Sequence, residues 1–202
     1  MRYFLFDIGN VLVDFDFQEL YQIHSEHSGR SISPFSGHDL EMRDAVETGR
    51  ISDAQWLAYL NETKGLSWSL DDLVGVWSTL FTKNETGYEL FKEAQQAVGV
   101  SVHVLSNIAK HHRDAIESNW NGFFEGADSL FLSYEIGVRK PSPEIYCHAL
   151  NELGVSGEDC FFIDDLAENI GPAREAGINA HHFIPENHAA IRDAAREFFS
   201  WS

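Results

Sequence analysis

The sequence predicts an α/β protein with a parallel sheet covered by helices on both faces and a helical segment inserted after the first strand. Two observations predict this fold class: residues 17–82 show helical periodicity with no convincing strand, and short apolar runs alternate with helical patterns from residue 83 onward. Strands separated by helices of this length form parallel sheets, which bind ligands beyond the carboxyl ends of their strands. We therefore expect a core formed by 1–16 and 83–202.

The first strand is the apolar and aromatic run Arg2–Phe6, which ends at Asp7. The inserted segment carries clear helix start signals, since Ser52 with Gln55 makes a capping box and Ser69 begins another helix. The predicted order that follows is a helix at 85–98, a strand at 101–105, a helix at 110–119, a strand at 129–132, a helix at 142–154, a strand at 160–163, a helix ending at 177, a strand at 179–183 and a last helix to 199.

Composition and charge exclude several classes of partner. The chain has 202 residues, 44% of them apolar, which is enough for one good-sized core. Its net charge of -18 repels nucleic acid and anionic membrane surfaces, so neither is expected as a partner. Cys147 and Cys160 are too few for a disulfide framework, and nowhere do eighteen apolar residues run together. We expect a cytoplasmic protein, either a monomer or a homodimer.

Polar residues that can carry chemistry follow three of the predicted strands. Asp7 follows the first strand, Ser106–Asn107 the strand that ends at 105, and Asp164–Asp165 the strand that ends at 163. Lys140 lies in the loop before a helix. Because the carboxyl ends of parallel strands share one edge of the sheet, these groups are expected to meet there. Together they can hold a hard, oxygen-preferring cation and a phosphate.

Each of these segments alone has an ordinary structural explanation. An aspartate at a strand end commonly caps a helix, Ser106–Asn107 can form a turn, and a single lysine is usually solvated. Asp164–Asp165 is harder to explain in this way, because adjacent carboxylates repel each other unless a cation or hydrogen-bond donors lie nearby. The four segments in this order favour the functional interpretation.

The segments FDIGNVLVDFD, LSN, SYEIGVRKPSPEIY and FFIDDLAENI match, in order, the four motifs of the haloacid dehalogenase-like hydrolases, and the match spans nearly the whole chain. The chain most resembles the sugar-phosphate (glucose-1-phosphate) phosphatases and the epoxide hydrolase N-terminal phosphatases of that superfamily. The resemblance implies a Rossmann-like core with a small helical cap at 17–82. It also implies a magnesium-dependent phosphatase that hydrolyses a small phosphorylated metabolite, such as a sugar phosphate.

The resemblance also assigns roles to the site residues. Asp7 is expected to be the nucleophile that takes up the phosphoryl group as an aspartyl phosphate. Mg²⁺ is expected to be held by Asp7, the backbone carbonyl of Gly9 and Asp165, with Asp164 behind them. The residues expected to hold the phosphate oxygens are Ser106, Asn107 and Lys140, and Lys140 is also expected to offset repulsion between the nucleophile and the phosphate.

The first motif departs from the common pattern at Gly9. Most phosphatases of the superfamily have a second aspartate there, which protonates the leaving oxygen and later activates water. Loss of a general acid-base typically costs about 10²- to 10⁴-fold in rate. The Gly-Asn-Val form resembles one in a glucose-1-phosphate phosphatase group of the superfamily, and the backbone ligand of the metal is retained. We hypothesise that water or Asp14 replaces the missing acid.

Alternative functions remain open on the sequence. A 2-haloacid dehalogenase also attacks with the first-motif aspartate, but it uses no metal, so Asp164–Asp165 fits it poorly. A phosphomutase relies on the acid that is absent at Gly9. The non-enzymatic alternative is a phosphometabolite-binding protein on the same fold. His111–His112 and His181–His182 lack the spacing of metal ligands and are predicted to be surface or capping histidines.

Overall fold

The computed structural model describes residues 1–201. Its strands are β1 (Arg2–Phe6), β2 (Val13–Asp14), β3 (Thr82–Lys83), β4 (Val100–Ser106), β5 (Ser129–Leu132), β6 (Cys160–Asp164) and β7 (Asn179–His182). Five of them form one sheet in the order β5-β4-β1-β6-β7, with every neighbouring pair parallel. The predicted α/β fold class is confirmed.

The centre of the sheet is β1, which pairs with β4 on one side and β6 on the other. Phe6 lies opposite Val104 and Ile163 in these two ladders. The residues that follow β1 and end β4 and β6 are therefore in register at one edge of the sheet. A strand buried on both faces leaves this edge as the place where polar side chains can meet a ligand.

The helices are α1 (Phe17–Ser28), α2 (His38–Glu47), α3 (Asp53–Lys64), α4 (Leu70–Leu80), α5 (Glu85–Gln96), α6 (Lys110–Asn119), α7 (Ser133–Ile136), α8 (Pro143–Leu153), α9 (Ala167–Glu175) and α10 (His188–Phe199). Capping boxes begin α3 at Ser52 and α4 at Ser69, as the sequence predicts. The short helix α7 is not predicted. Among residues 1–201, no helix has both the length and the apolar character needed to cross a membrane.

Alternate residues of β1 pack on opposite faces of the sheet, because successive strand side chains point to opposite sides. Phe4 and Phe6 belong to the hydrophobic cluster that includes α5, α6 and α10. Leu5 belongs to a second cluster, which includes α8 and α9. Helices therefore cover both faces, and the nucleophile candidate that follows β1 sits at the end of a fully enclosed strand.

The inserted segment consists of α1 to α4. Trp56 and Trp77 of this segment are buried, and its last helix, α4, packs against α6 of the core. The chain enters and leaves the segment through β2 and β3, which pair antiparallel with Val13 opposite Lys83. These two-residue strands are too short to give a sequence pattern, and they were not predicted.

Candidate active site

Three carboxylates converge at the carboxyl edge of the sheet. Asp7 follows β1, Asp164 ends β6, and Asp165 is the next residue. One carboxylate oxygen from each lies within 4.8 Å of the others. The convergence follows from the parallel pairing of β1 with β6, which brings two distant parts of the sequence to adjacent positions. A cluster of this kind needs positive charge nearby to be stable.

Lys140 supplies that charge from the loop before α8. Its side chain is buried, and its Nζ lies 2.9 Å from Asp7 Oδ1 and 2.5 Å from Asp164 Oδ2. The ammonium also donates to the backbone carbonyl of Leu105 at 3.0 Å. A lysine ammonium has three N–H donors, so all three are engaged. The lysine predicted from the sequence is therefore fixed between two of the predicted carboxylates.

Asn107 holds the loop that carries this lysine. Its Nδ2 donates to the carbonyl of Lys140 at 2.8 Å, and its Oδ1 accepts the backbone N–H of Lys140 at 2.8 Å. The amide nitrogen carries a second N–H, which stays available to a phosphate oxygen. Ser106, at the end of β4, is buried and lines a small cavity together with Gly9, where a phosphate oxygen could reach its hydroxyl.

The donor set fits a hard divalent cation. Asp164 is fully buried and already accepts hydrogen bonds from Leu166 N and Asn169 Nδ2, in addition to its ion pair with Lys140. In contrast, Asp7 Oδ2 and Asp165 Oδ1 accept no hydrogen bond from any other residue in 1–201. These oxygens are therefore available to a cation that prefers oxygen ligands, as Mg²⁺ does.

The backbone after Asp7 also leaves an oxygen available to a cation. The carbonyl of Ile8 accepts the N–H groups of Val11, Leu12 and Val13, whereas the Gly9 carbonyl accepts none within 1–201. Asn10 has a left-handed backbone, with φ of 51°, and donates from Nδ2 to Asp165 Oδ2 at 2.9 Å. This bond ties the first loop to the last one, and Asn10 is a contributor that the sequence reasoning missed.

Burial and the neighbouring charges act in opposite directions on the pKa values of these groups. Burial raises the pKa of Asp7 to about 7, against the lowering effect of the Lys140 charge. Burial also raises the pKa of Asp165, although the hydrogen bond from Asn10 opposes it. For Lys140, burial favours the neutral amine, but the charges of Asp164 and Asp7 outweigh it and keep the pKa above its usual value. Asp7 is costly to ionise even beside a protonated lysine. A further cation at this site would therefore stabilise its charged form.

Comparison with known proteins identifies the family. The model of the haloacid dehalogenase-like hydrolase family matches residues 1–177. The chain belongs to this family of hydrolases. The hydrolase is 23% identical to D-ribitol-5-phosphate phosphatase of Bacteroides thetaiotaomicron, over 93% of each chain. It is 29% identical to a phosphatase of Mycobacterium tuberculosis, over 88% of this chain and 84% of the relative.

A solved structure shows the same fold. It is a haloacid dehalogenase-family enzyme of Bacteroides thetaiotaomicron in complex with magnesium and inorganic phosphate, with a TM-score of 0.75 and 22% identity. The match covers 90% of this chain and 93% of that one. The family resemblance and the hydrolase class expected from the four motifs are both confirmed, and the named relatives are phosphatases.

The hydrolase has little room for an acid at Gly9. A Cβ atom added to Gly9 would lie 3.1 Å from Cε1 of Phe15, which is closer than an ordinary contact. Asp14, which we hypothesised to replace the acid, does not line the cavity beside Gly9, although its neighbours Val13 and Phe15 do. Its Oδ1 accepts a hydrogen bond from Asn84 Nδ2 at 2.7 Å.

The cavity next to Gly9 has a volume of about 60 Å³. Aromatic side chains form most of its wall on the cap side, and these are Phe15, Phe17, Trp77 and Phe81. Two polar side chains, Glu47 and His112, also line it. The sequence gives no signal for Glu47. His112 was predicted to be a surface or capping residue; its Nδ1 does accept the N–H of Ala109, but its ring also reaches the cavity.

The prediction that His111 lies at the surface or caps a helix is wrong. His111 is buried rather than on the surface, with Nδ1 2.8 Å from Asp53 Oδ1 at the start of α3. A histidine in α6 bonded to an aspartate in α3 joins the core to the inserted helices. The side chain could not be recognised from sequence, because its partner lies 58 residues away.

Proposed function

We propose that this hydrolase is a magnesium-dependent phosphatase that hydrolyses a small sugar phosphate through an aspartyl phosphate on Asp7. The observation that carries the proposal is the buried Lys140 ammonium between Asp7 and Asp164, with Asp165 beside them at the end of the sheet. A lysine and several carboxylates in contact are the groups needed to receive a phosphoryl group and a cation together.

In this mechanism Asp7 attacks phosphorus, and a carboxylate suits this role because the acyl phosphate that it forms is labile. Lys140 holds the negative charge of the nucleophile and of the incoming phosphate, and Ser106 binds a phosphate oxygen. Asn107 positions the backbone of Lys140. The chemistry that a bound Mg²⁺ ion supplies is neutralisation of the phosphate charge, and Asp7, Asp165 and the Gly9 carbonyl would hold it.

The residues that line the cavity favour a substrate with a small organic group. The aromatic wall of the cavity offers apolar faces to a sugar ring, while Glu47 and His112 offer polar contacts to hydroxyl groups. With a volume of about 60 Å³, the cavity is too small for a nucleotide or flavin. The relative named D-ribitol-5-phosphate phosphatase supports the same substrate class.

Hydrolysis of p-nitrophenyl phosphate by the purified protein tests the proposal. We expect turnover that requires Mg²⁺ and that disappears in Asp7→Asn, because the amide cannot serve as the nucleophile. Asp14→Asn is the matched control: it removes a carboxylate seven positions away that does not line the cavity, and it is expected to leave turnover unchanged.

Three results would reject the proposal or its nucleophile. Release of halide from a 2-haloacid without any metal requirement would favour a dehalogenase. Binding of phosphorylated sugars without turnover would favour a non-catalytic binding protein. Retention of phosphatase activity in Asp7→Asn would remove Asp7 from the role of nucleophile.

A further inference from the structure

One carboxyl group reaches the cavity beside Gly9 from the cap side. It belongs to Glu47, the last residue of α2. The same cavity is lined by Gly9, Ser106 and Asn107 on the core side. Because the cavity measures only about 60 Å³, a leaving group placed in it lies close to every wall, including Glu47.

Hydrogen bonds fix Glu47 relative to the phosphate loop. Its backbone carbonyl accepts the hydroxyl of Ser133 at 2.5 Å. The same hydroxyl oxygen accepts the backbone N–H of Ile108 at 2.9 Å, and Ile108 directly follows Ser106 and Asn107. A single serine therefore joins the cap residue to the loop that is expected to bind phosphate. This link holds the backbone of Glu47 next to that loop.

Two arginines lie beside the carboxyl group of Glu47, but one of its oxygens accepts no hydrogen bond. The residue is 8% exposed, and Oε2 is buried without a hydrogen bond from any described residue. Arg139 Nη2 lies 3.3 Å from Oε2, and Arg43 Nε lies 3.8 Å from Oε1. Oε2 therefore has the Arg139 guanidinium as an ion-pair neighbour but accepts no hydrogen bond, which is uncommon for a buried carboxyl oxygen.

No other group that faces this cavity can supply a proton. Gly9 has no side chain, and Asp14 does not line the cavity. His112 accepts the Ala109 N–H at Nδ1, so its neutral ring carries a proton on Nε2. Burial, together with the charges of His111 and Arg43, keeps the pKa of His112 well below 6.5, so it stays neutral and acts as a hydrogen-bond donor only.

We propose that Glu47 is the general acid and base of the phosphatase reaction, in place of the aspartate that is absent at Gly9. This inference rests on the proposed function. As the bond from Asp7 to phosphorus forms and the bond from phosphorus to the leaving oxygen breaks, the Glu47 carboxyl gives its proton to that oxygen. Water then enters the position that the leaving group vacated.

In the second step the water oxygen bonds to phosphorus and its proton passes to the Glu47 carboxylate. The bond between phosphorus and Asp7 breaks, which releases phosphate and restores both residues to their starting states. One carboxyl can serve both steps because leaving group and water occupy the same place.

Burial and the nearby charges act in opposite directions on the pKa of Glu47. Burial raises the pKa of Glu47, and Asp44 on the same helix adds to this. Arg139, Arg43 and His111 act in the opposite direction, but the net shift is upward. Both arginines also pair with Asp44, so their charge is shared between two carboxylates.

Two aryl phosphates test the assignment. The leaving phenol of phenyl phosphate has a pKa of about 10, like a tyrosine side chain, and needs protonation. p-Nitrophenol is a much stronger acid and does not. We expect Glu47→Gln to lower kcat/KM for phenyl phosphate by about 10²- to 10⁴-fold, while kcat/KM for p-nitrophenyl phosphate changes less than about tenfold.

The same variant should show a burst of p-nitrophenol equal to the enzyme concentration, followed by slow turnover, because the aspartyl phosphate forms but is no longer hydrolysed quickly. Glu41→Gln is the matched control. It removes an exposed carboxylate of the same helix that does not line the cavity, and it should leave the ratio of the two substrates unchanged.

Equal losses on both substrates, or no loss on either, would overturn the role of Glu47. Thermal unfolding of Glu47→Gln checks that the variant is folded. If it is not, Glu47→Ala is used instead, and a normal substrate ratio without a burst in that variant would also reject the proposal. A wild-type protein without Mg²⁺-dependent turnover would reject the proposed function itself, which is a separate result.

Discussion

At the scale of single residues, Lys140 decides whether the site can exist. Its ammonium is 1% exposed and touches two carboxylates, of which Asp164 is completely buried. Desolvation of three charged groups is costly, and the attraction among them offsets that cost only while all three are present. Lys140 is therefore a structural residue as well as a candidate for catalysis.

Lys140→Met is expected to lower the free energy of unfolding by about 3–5 kcal/mol in the absence of metal, because it leaves buried carboxylates without a counter-charge. Urea denaturation measures the change. Lys110→Met is the control: this lysine also pairs with an aspartate, but it is 62% exposed, so a loss of no more than about 1 kcal/mol is expected. Equal losses in the two variants would contradict this view of Lys140.

At the scale of elements, the inserted helices also meet the core just after α2. Gly49 follows this helix with φ of 65°, and a Cβ atom there would lie 2.3 Å from the carbonyl oxygen of Tyr134 in α7. Arg139, in the loop after α7, forms ion pairs with Asp44 and Glu47 of α2. The helix that carries the proposed acid is thus held against the loop that carries the lysine.

Gly49→Ala is expected to destabilise the protein more than Gly137→Ala. Both glycines have a left-handed backbone, which costs about 1–2 kcal/mol for alanine. Only Gly49 has no room for a methyl group, since nothing lies within 4 Å of a Cβ atom at Gly137. Overpacking adds about 1–3 kcal/mol at Gly49. The urea midpoints of the two variants measure the difference, and similar midpoints would show that α2 can move away from α7 without cost.

At the scale of the whole molecule, the carboxylate site makes stability depend on pH and on metal. The net charge is -18, and the site concentrates three acidic residues at one point. Burial raises the pKa of Asp7 from 3.8 to about 7, so between these values the folded protein holds a proton that the unfolded chain has lost. The contribution of Asp7 to stability therefore falls as pH rises from about 4 to 7, in the absence of a cation.

Mg²⁺ is expected to raise the melting temperature more at pH 8 than at pH 5.5. At the higher pH Asp7 is ionised and the ion relieves its repulsion, whereas at the lower pH the ion must displace a proton. Differential scanning calorimetry with and without Mg²⁺ measures the shift. Asp165→Asn removes a predicted ligand and should lose most of it. An equal shift at both pH values would contradict the assignment of the site.

The sequence by itself determined the α/β class and predicted which polar residues meet at the edge of the sheet. Asp7, Ser106 and Asp164 could be placed because they follow apolar runs that can only be buried strands, and parallel strands bring their carboxyl ends together. Lys140 was recognised from the motif around it, and the structure brings its side chain between two of those carboxylates.

Only the tertiary structure decided what completes the site. The direction of Asp14 depends on the two-residue strand β2, and the position of Glu47 depends on a serine 86 residues away. Such contacts form when separate elements pack, so no local pattern of residue types records them. Local periodicity and motif order fix which residues lie at the edge of the sheet; the packing of the inserted helices fixes which side chains face the substrate.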